Sequence, residues 1–367
     1  MPAMTTSRSS GDVASRVEAT IRPDVRALSA YPVAKAKGLI KLDAMESPYG
    51  LPIALKEELG RTLAEVPLNR YPDGPADAVK QALRESLALP ADVDLLVGNG
   101  SDEILQIITT AIARPNACIV APDPSFVMYR IDARLMNVRF IGVPLRADFS
   151  LDEDAMLAAI AAERPLLVWL AYPNNPTGNR FASSTVERIV RAAPGLVAID
   201  EAYYAYADDS FLPRVLDYDN LVVVRTVSKI GMAGLRLGYV AGRSEWIAEL
   251  DKVRPPYNVN ALTQAALPVV LRANHVIARQ SAEIRRERSR VAATLASMHG
   301  VEVFPTETNF VMIRVSDADR SFADLLDAGV LVKNLNGWHP LLRGCLRITI
   351  GTPAENDALI AALARQS

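Results

Sequence analysis

Leu221-Val222-Val223-Val224-Arg225-Thr226-Val227-Ser228-Lys229-Ile230-Gly231 is the stretch on which the fold turns. Leu221 to Val224, with Thr226 after them, is an apolar and β-branched run of strand length that reads as a buried strand. Ser228 and Lys229 fall where that strand should stop, and Gly231 and Gly234 then supply flexible backbone. Arg236 follows shortly after. A lysine at the mouth of a buried strand is poised to lose its proton by desolvation and to act as a nucleophilic amine. Schiff-base chemistry with a carbonyl cofactor needs such an amine. Ordinary solvated lysines fill the same kind of position, so the other motifs decide.

The bulk numbers exclude several classes. The chain has 367 residues, 50% of them hydrophobic and 22% charged, with a formal net charge of −2. That length allows two domains, and the composition is that of a globular protein. No basic excess points to nucleic acid. No apolar run approaches the ~20 residues of a membrane span. Cys118 and Cys345 stand far apart in strand-like contexts, which fits a reducing cytoplasm better than a disulfide framework. His275, His299 and His339 show no metal-ligand spacing. Residues 1–22 are rich in Ser, Thr and Ala and are expected to be a flexible leader.

Outward from the opening stretch, apolar strands alternate with helical patterns. Strands are expected at Asp94–Gly98, Ala117–Ala121, Val138–Val143, Leu166–Ala171, Leu196–Asp200, Leu221–Thr226 and Leu237–Ala241. Helices are expected between most of them, as at Glu103–Ala113, Asp152–Ala162 and Ala182–Ala193. This alternation argues for an α/β fold with a mostly parallel seven-stranded sheet between helices, whose ligand sites lie at the carboxyl ends of the strands. After Pro255-Pro256 the pattern changes. One long helix over Thr263–His299 and short strands at Val301–Pro305, Asn309–Val315, Val330–Lys333 and Leu346–Ile350 suggest a smaller α+β domain. The expected division is a leader over 1–22, an arm over 23–50 packing on the small domain, a large domain over 51–260 and the small domain over 261–367.

Four strand-end motifs could share one site. Gly98-Asn99-Gly100-Ser101-Asp102-Glu103 opens a helix whose free N–H groups suit a phosphate, or is a plain capped helix start. Tyr172-Pro173-Asn174-Asn175-Pro176-Thr177-Gly178 is a rigid turn that holds the Asn175 amide at a strand end, where it can donate to a phenolate oxygen. Asp200, ending a buried strand in Ala198-Ile199-Asp200-Glu201-Ala202-Tyr203, needs a partner: a protonated pyridine nitrogen, or a following helix to cap. Thr226, Ser228 and Arg236 can join the glycine-rich helix start around a phosphate. In the small domain, Arg347 sits in the apolar run Cys345-Leu346-Arg347-Ile348-Thr349 and calls for an anion, whether a substrate carboxylate or a structural partner.

The order of these motifs resembles the fold-type I pyridoxal-phosphate aminotransferases, from about residue 25 onward. Within them, Leu42-Asp43-Ala44-Met45-Glu46-Ser47-Pro48-Tyr49-Gly50, Arg70-Tyr71-Pro72-Asp73 and Cys345 to Thr349 are similar to the branch acting on histidinol phosphate. The resemblance implies that Lys229 carries pyridoxal 5′-phosphate as a Schiff base and moves a proton, that Asp200 pairs with the pyridine nitrogen, and that Asn175 and Tyr203 bind its phenolic oxygen. Phe126 would stack on the ring, where the family often has Tyr. Ser101, Asp102, Thr226, Ser228 and Arg236 would hold the phosphate, with Tyr71 reaching the phosphate of a neighbouring subunit in a homodimer. Arg347, Lys333, Tyr31 and Asn175 would contact substrate, Lys333 standing where some members carry arginine. Met45 and Ser47 replace the two asparagines of the usual Asn-Glu-Asn-Pro string. The implied reaction is transamination between histidinol phosphate and 2-oxoglutarate in the cytoplasm. The same chemistry on an aromatic amino acid, or decarboxylation of a phosphorylated amino acid, is the alternative.

Overall fold

The computed structural model describes residues 10–30 and 34–365, which fall into two compact units that part after Lys37. In the first, the stretch expected to be a flexible leader contains an eleven-residue helix, Ser10–Thr20, and a one-turn helix follows at Pro23–Arg26. Asp12 and Arg16 pair one turn apart at 3.0 Å on the first helix, a local support that composition alone does not reveal.

Among the described residues the second unit contains thirteen strands: β1 Ile40–Lys41, β2 Val93–Gly98, β3 Cys118–Asp123, β4 Arg139–Pro144, β5 Leu167–Ala171, β6 Leu196–Asp200, β7 Leu221–Thr226, β8 Gly238–Arg243, β9 Glu302–Val303, β10 Phe310–Arg314, β11 Val330–Leu331, β12 Lys333–Asn334 and β13 Cys345–Thr349. Seven of them form one sheet in the order β2-β8-β7-β6-β5-β3-β4. Pairing is parallel except for β8, which runs against both β2 and β7. These are the seven strands expected from the apolar runs, with ends displaced by at most two residues.

Side-chain alternation explains why those runs are continuous. Trp169, Val222 and Val224 enter one apolar core with the helices Ser101–Ile112, Val127–Leu135 and Ser244–Asp251. Val168, Leu170, Leu221 and Val223 enter a second core on the opposite face, with the helices Asp77–Leu87, Glu153–Glu163 and Ser183–Ala192. A strand with both faces covered has no polar side to display.

A second sheet, in the order β12-β13-β10-β9, is antiparallel throughout. Its core joins Phe310, Val311, Leu346 and Ile348 to the helices Asn274–Ala296, Ala318–Asp327 and Pro353–Ala364. The single helix expected over 263–299 is instead two, Ala261–Arg272 and Asn274–Ala296, with the backbone leaving helical values at Ala273. No glycine or proline stands at that break, so the pattern reads straight through it. Asn260 caps the first of the pair by accepting from the Thr263 amide at 2.9 Å.

Residues 38–50 run along this second sheet. β1 pairs in parallel with β11. The Thr349 amide donates to the Leu42 carbonyl, the Met45 amide to Thr349 Oγ1 at 2.9 Å, and Asn309 Nδ2 to the Met45 carbonyl at 2.8 Å. The chain from Asp43 to Met45 is thereby fixed beside β13.

Candidate active site

Strand register gathers the motifs. Ala171 lies opposite Asp200, Asp200 opposite Val224, and Gly238 opposite both Thr226 and Gly98. Because β8 runs backward, its first residue sits at the edge where its neighbours end. The carboxyl ends of β2, β5, β6 and β7 and the start of β8 therefore share one rim.

At one side of that rim the backbone makes an anion cradle. Gly100 has φ of 87° and leads into the helix Ser101–Ile112. A Cβ on Gly238 would fall 2.3 Å from the Ser101 amide nitrogen, and one on Gly100 would fall 2.7 Å from Arg236 Nη2. Only glycines let the helix start, β8 and the guanidinium approach this closely. Arg236 itself holds φ of 48°. Its Nη1 reaches Ser228 Oγ at 3.5 Å, and its Nη2 reaches Asp102 Oδ2 at the same distance. Thr226 Oγ1 donates to Ser228 Oγ at 3.0 Å and accepts the Ser228 amide at 3.1 Å. Helix-start N–H groups, two hydroxyls and a guanidinium converge, which is the donor set of a phosphate.

Lys229 stands in the one-turn helix Ser228–Ile230 that follows β7, and Gly231 beyond it takes φ of 96°. Tyr206 Oη donates to the Lys229 carbonyl at 2.6 Å, which pins the turn. The Lys229 amine donates to the Ala44 carbonyl at 3.1 Å. Burial first, and then the Arg347 guanidinium, brings this amine down to about 8.

Asp200 ends β6 at 5% exposure. Its Oδ2 accepts the Tyr129 hydroxyl at 2.8 Å and its Oδ1 the Ala202 amide at 3.0 Å. Burial pushes this carboxyl up to about 6, against those two donors. The next residue, Glu201, is buried too, but Arg225 clasps its carboxylate through Nε at 2.9 Å and Nη2 at 2.8 Å. Burying both carboxylates is tolerable because one is matched locally.

Arg347, from β13, reaches across to the rim. Its Nη1 donates to Asn175 Oδ1 at 2.6 Å and its Nη2 to the Asp43 carbonyl at 3.1 Å. Engaging the acceptor end of the Asn175 amide leaves Nδ2 as the outward donor, the end that a phenolate oxygen requires. Lys333 lies opposite Arg347 in the β12–β13 register. Its amine sits 4.9 Å above the Trp338 ring and is lowered by burial and by Arg347. Tyr203 is buried edge-on to Phe310 with ring centres 5.3 Å apart. Phe126, half-buried, meets Tyr129 edge to face at 5.7 Å.

Ser101, Asp102, Asn175, Asp200, Thr226, Ser228, Lys229, Arg236 and Arg347 are thus brought to one rim by strand register and local contacts, with Lys333 beside Arg347. Tyr71 is not. It is 82% exposed and stacks on Tyr257 at 4.7 Å, with no bond to the rim among the described residues. Tyr31 lies outside the described residues. Tyr129, Tyr206 and the carbonyls of Asp43 and Ala44 were missed. The two tyrosines occur in helical or turn text with no marker of function, and backbone carbonyls leave no trace in a sequence. No metal-binding group of His, Cys, Asp or Glu is assembled among the described residues.

The rim fits pyridoxal phosphate by its own chemistry: an amine lowered toward neutrality, a buried carboxylate to face a ring nitrogen, and a glycine-shaped phosphate cradle. Comparison with known proteins agrees. The family model for class I and II aminotransferases matches residues 37–363. A histidinol-phosphate aminotransferase of Ralstonia nicotianae is 52% identical over 94% of this chain and 93% of its own length. One from Chromobacterium violaceum is also 52% identical, over 95% and 98%. The solved structure of histidinol-phosphate aminotransferase from Sinorhizobium meliloti, in complex with pyridoxal-5′-phosphate, superposes with a TM-score of 0.83 at 26% identity, over 94% of this chain and 97% of that one. The chain belongs to the class I and II aminotransferases, and within them to the histidinol-phosphate aminotransferases.

Proposed function

We propose that this enzyme transfers the amino group of L-histidinol phosphate to 2-oxoglutarate, giving imidazole acetol phosphate and L-glutamate, with pyridoxal 5′-phosphate as cofactor. The observation that carries the reading is the pairing, on one rim, of a lysine amine lowered to about 8 with a buried aspartate. Identity of 52% to curated relatives of that activity supports the choice of substrate.

When bound, the cofactor supplies an aldehyde to take the amino group and a protonated ring to draw electron density from the substrate Cα. The chain's own residues do the rest. Lys229 is the attachment point and, in neutral form, its Nζ is the base for the substrate Cα proton. Asp200 holds a positive charge at the ring nitrogen. Asn175 Nδ2 and the Tyr203 hydroxyl bind the phenolic oxygen, and Phe126 covers the ring face. The helix start at Ser101 and Asp102, with Thr226, Ser228 and Arg236, takes the phosphate. Arg347 and Lys333 bind the substrate phosphate in one half-reaction and the dicarboxylate in the other, with Tyr31 a further phosphate donor.

The active unit in this reading is a homodimer in which Tyr71 serves the partner's phosphate. The exposed stack of Tyr71 on Tyr257 supports it, because a pair of large rings facing water suits an interface. A cytoplasmic setting is supported by two buried free thiols. In this reading residues 1–22 are a leader and 23–50 an arm, and the division into a large domain over 51–260 and a small one over 261–367 is supported by the separation of the seven-stranded from the four-stranded sheet.

The test is a half-reaction screen. Purified holoenzyme is mixed with single amines while the visible absorbance of the bound aldehyde form is followed. Histidinol phosphate and glutamate should bleach it. If histidinol phosphate fails where phenylalanine or tyrosine succeeds, the substrate assignment is overturned and the aminotransferase class stands.

A further inference from the structure

Two features around Asp200 have no part in the roles above. One is the hydrogen bond from Tyr129, and the other is the slab of rings that immobilises that tyrosine. Tyr129 is on the helix Val127–Leu135, fully buried. Its ring lies 4.9 Å from Trp169 at an interplanar angle of 2°, and the edge of Phe126 closes the arrangement at 87°. Trp169 is itself buried in β5. A phenol clamped this way cannot swing its hydroxyl aside without breaking the stack. Burial and the neighbouring Asp200 charge keep the phenol well above its usual range, so the proton stays on Tyr129 and the group acts only as a donor toward Asp200.

The geometry points to Tyr129 as a positioning residue of the reaction: its hydroxyl fixes the plane of the Asp200 carboxylate and keeps that group ionised. The inference rests on the reading of Asp200 as partner of the ring nitrogen. With Tyr129 on Oδ2 and the Ala202 amide on Oδ1, rotation of the carboxylate is restrained, and each oxygen keeps acceptor capacity for a further donor. The donor also opposes desolvation. A buried carboxylate without hydrogen bonds goes neutral, and a neutral Asp200 holds no cation. The other ionisable groups around Asp200 are Tyr203, Asp102 and Glu201. Arg236 faces Asp102 and Arg225 clasps Glu201, so Tyr129 is the side-chain donor on the carboxylate itself.

The test compares full-length holoenzymes of wild type, Tyr129→Phe, Asp200→Asn and Trp169→Phe. Pyridoxal phosphate affinity is read by equilibrium dialysis from pH 5 to pH 8. Titration of the cofactor's own phosphate is common to all four, so differences between variants report on the protein. In wild type, affinity should fall on acidification near pH 6, where Asp200 takes up its proton. Tyr129→Phe keeps the ring stack and loses one charge-assisted bond. Its acid limb should move up by about one pH unit, with affinity reduced about twofold at pH 7 and about tenfold at pH 5. Trp169→Phe disturbs the packing alone and should keep the wild-type pH profile.

A Tyr129→Phe profile that overlays wild type, alongside weakened binding by Asp200→Asn, overturns the role of Tyr129 and leaves Asp200 in place. Wild-type binding by Asp200→Asn overturns the reading of Asp200 and the inference with it. A Trp169→Phe profile displaced as far as that of Tyr129→Phe assigns the effect to packing and overturns the role of the hydroxyl.

Discussion

The fold moves the titration of Lys229 down and that of Asp200 up, and each departure is measurable. The Lys229 amine is lowered from 10.5 to about 8. In the cofactor-free protein, its reductive trapping by pyridoxal should speed up with pH and level off just above pH 8, whereas surface lysines keep accelerating toward 10. Peptide mass spectrometry of borohydride-trapped samples reads both at once. Continued tenfold gains per unit at pH 9.5 would sink the argument. For Asp200, the folded-state value of about 6 exceeds the 3.8 of a free aspartate. The fold therefore binds this proton more tightly than the unfolded chain. Stability from the group is complete below pH 3.8 and is lost as pH rises through 6, by up to about 3 kcal/mol. Cofactor-free Asp200→Asn should accordingly melt above wild type at pH 7.5, with the gap closing near pH 4, while losing activity. Both residues were legible because each polar group ends an apolar run, where only pairing or chemistry makes it tolerable. Tyr129 was not legible, since an aromatic in the first turn of an amphipathic helix looks like any core residue.

At the scale of elements, what positions the site is the close approach of β8 to the start of the helix Ser101–Ile112. Gly238→Ala would set a methyl group 2.3 Å from the Ser101 amide. Both sides of that contact are backbone, so no rotamer relieves it. The substitution should cost about 1–3 kcal/mol in chemical denaturation and weaken cofactor retention, because the displaced helix start no longer aims its N–H groups at the phosphate. Retention equal to wild type would show that the cradle does not depend on this approach. The strands themselves were readable from composition, since two covered faces force an apolar run. The break at Ala273 was not, because it lies between two patterns of the same period and carries no glycine or proline. The Arg347–Asn175 bond was equally hidden: it joins positions 172 residues apart in the chain, and neither motif names the other.

At the scale of the whole molecule, the exposed Tyr71–Tyr257 stack makes a prediction about partnership. If Tyr71 serves a neighbouring subunit, Tyr71→Ala and Lys229→Ala are each impaired alone but complement one another when co-refolded. A mixed dimer then contains one site with both residues intact. Regained activity in the mixture, with a dimer by sedimentation, is the expected result, and no regain would place Tyr71 outside the neighbouring site. The antiparallel run of β8 has a further consequence. A parallel strand in its place would need a crossover of a dozen or more residues and would begin at the far edge of the sheet. Because β8 turns back, the chain leaves the rim at Thr226 and returns to it at Gly238 without crossing to the other side. Ser228, Lys229 and Arg236 are all delivered by that single excursion. The spacing between the reactive amine and the phosphate anchor is therefore set by contour length, like a ruler cut to one size. Residues inserted between Ile230 and Arg236 would detune the two groups even with every side chain retained, whereas insertions in loops at the opposite edge of the sheet leave that spacing untouched.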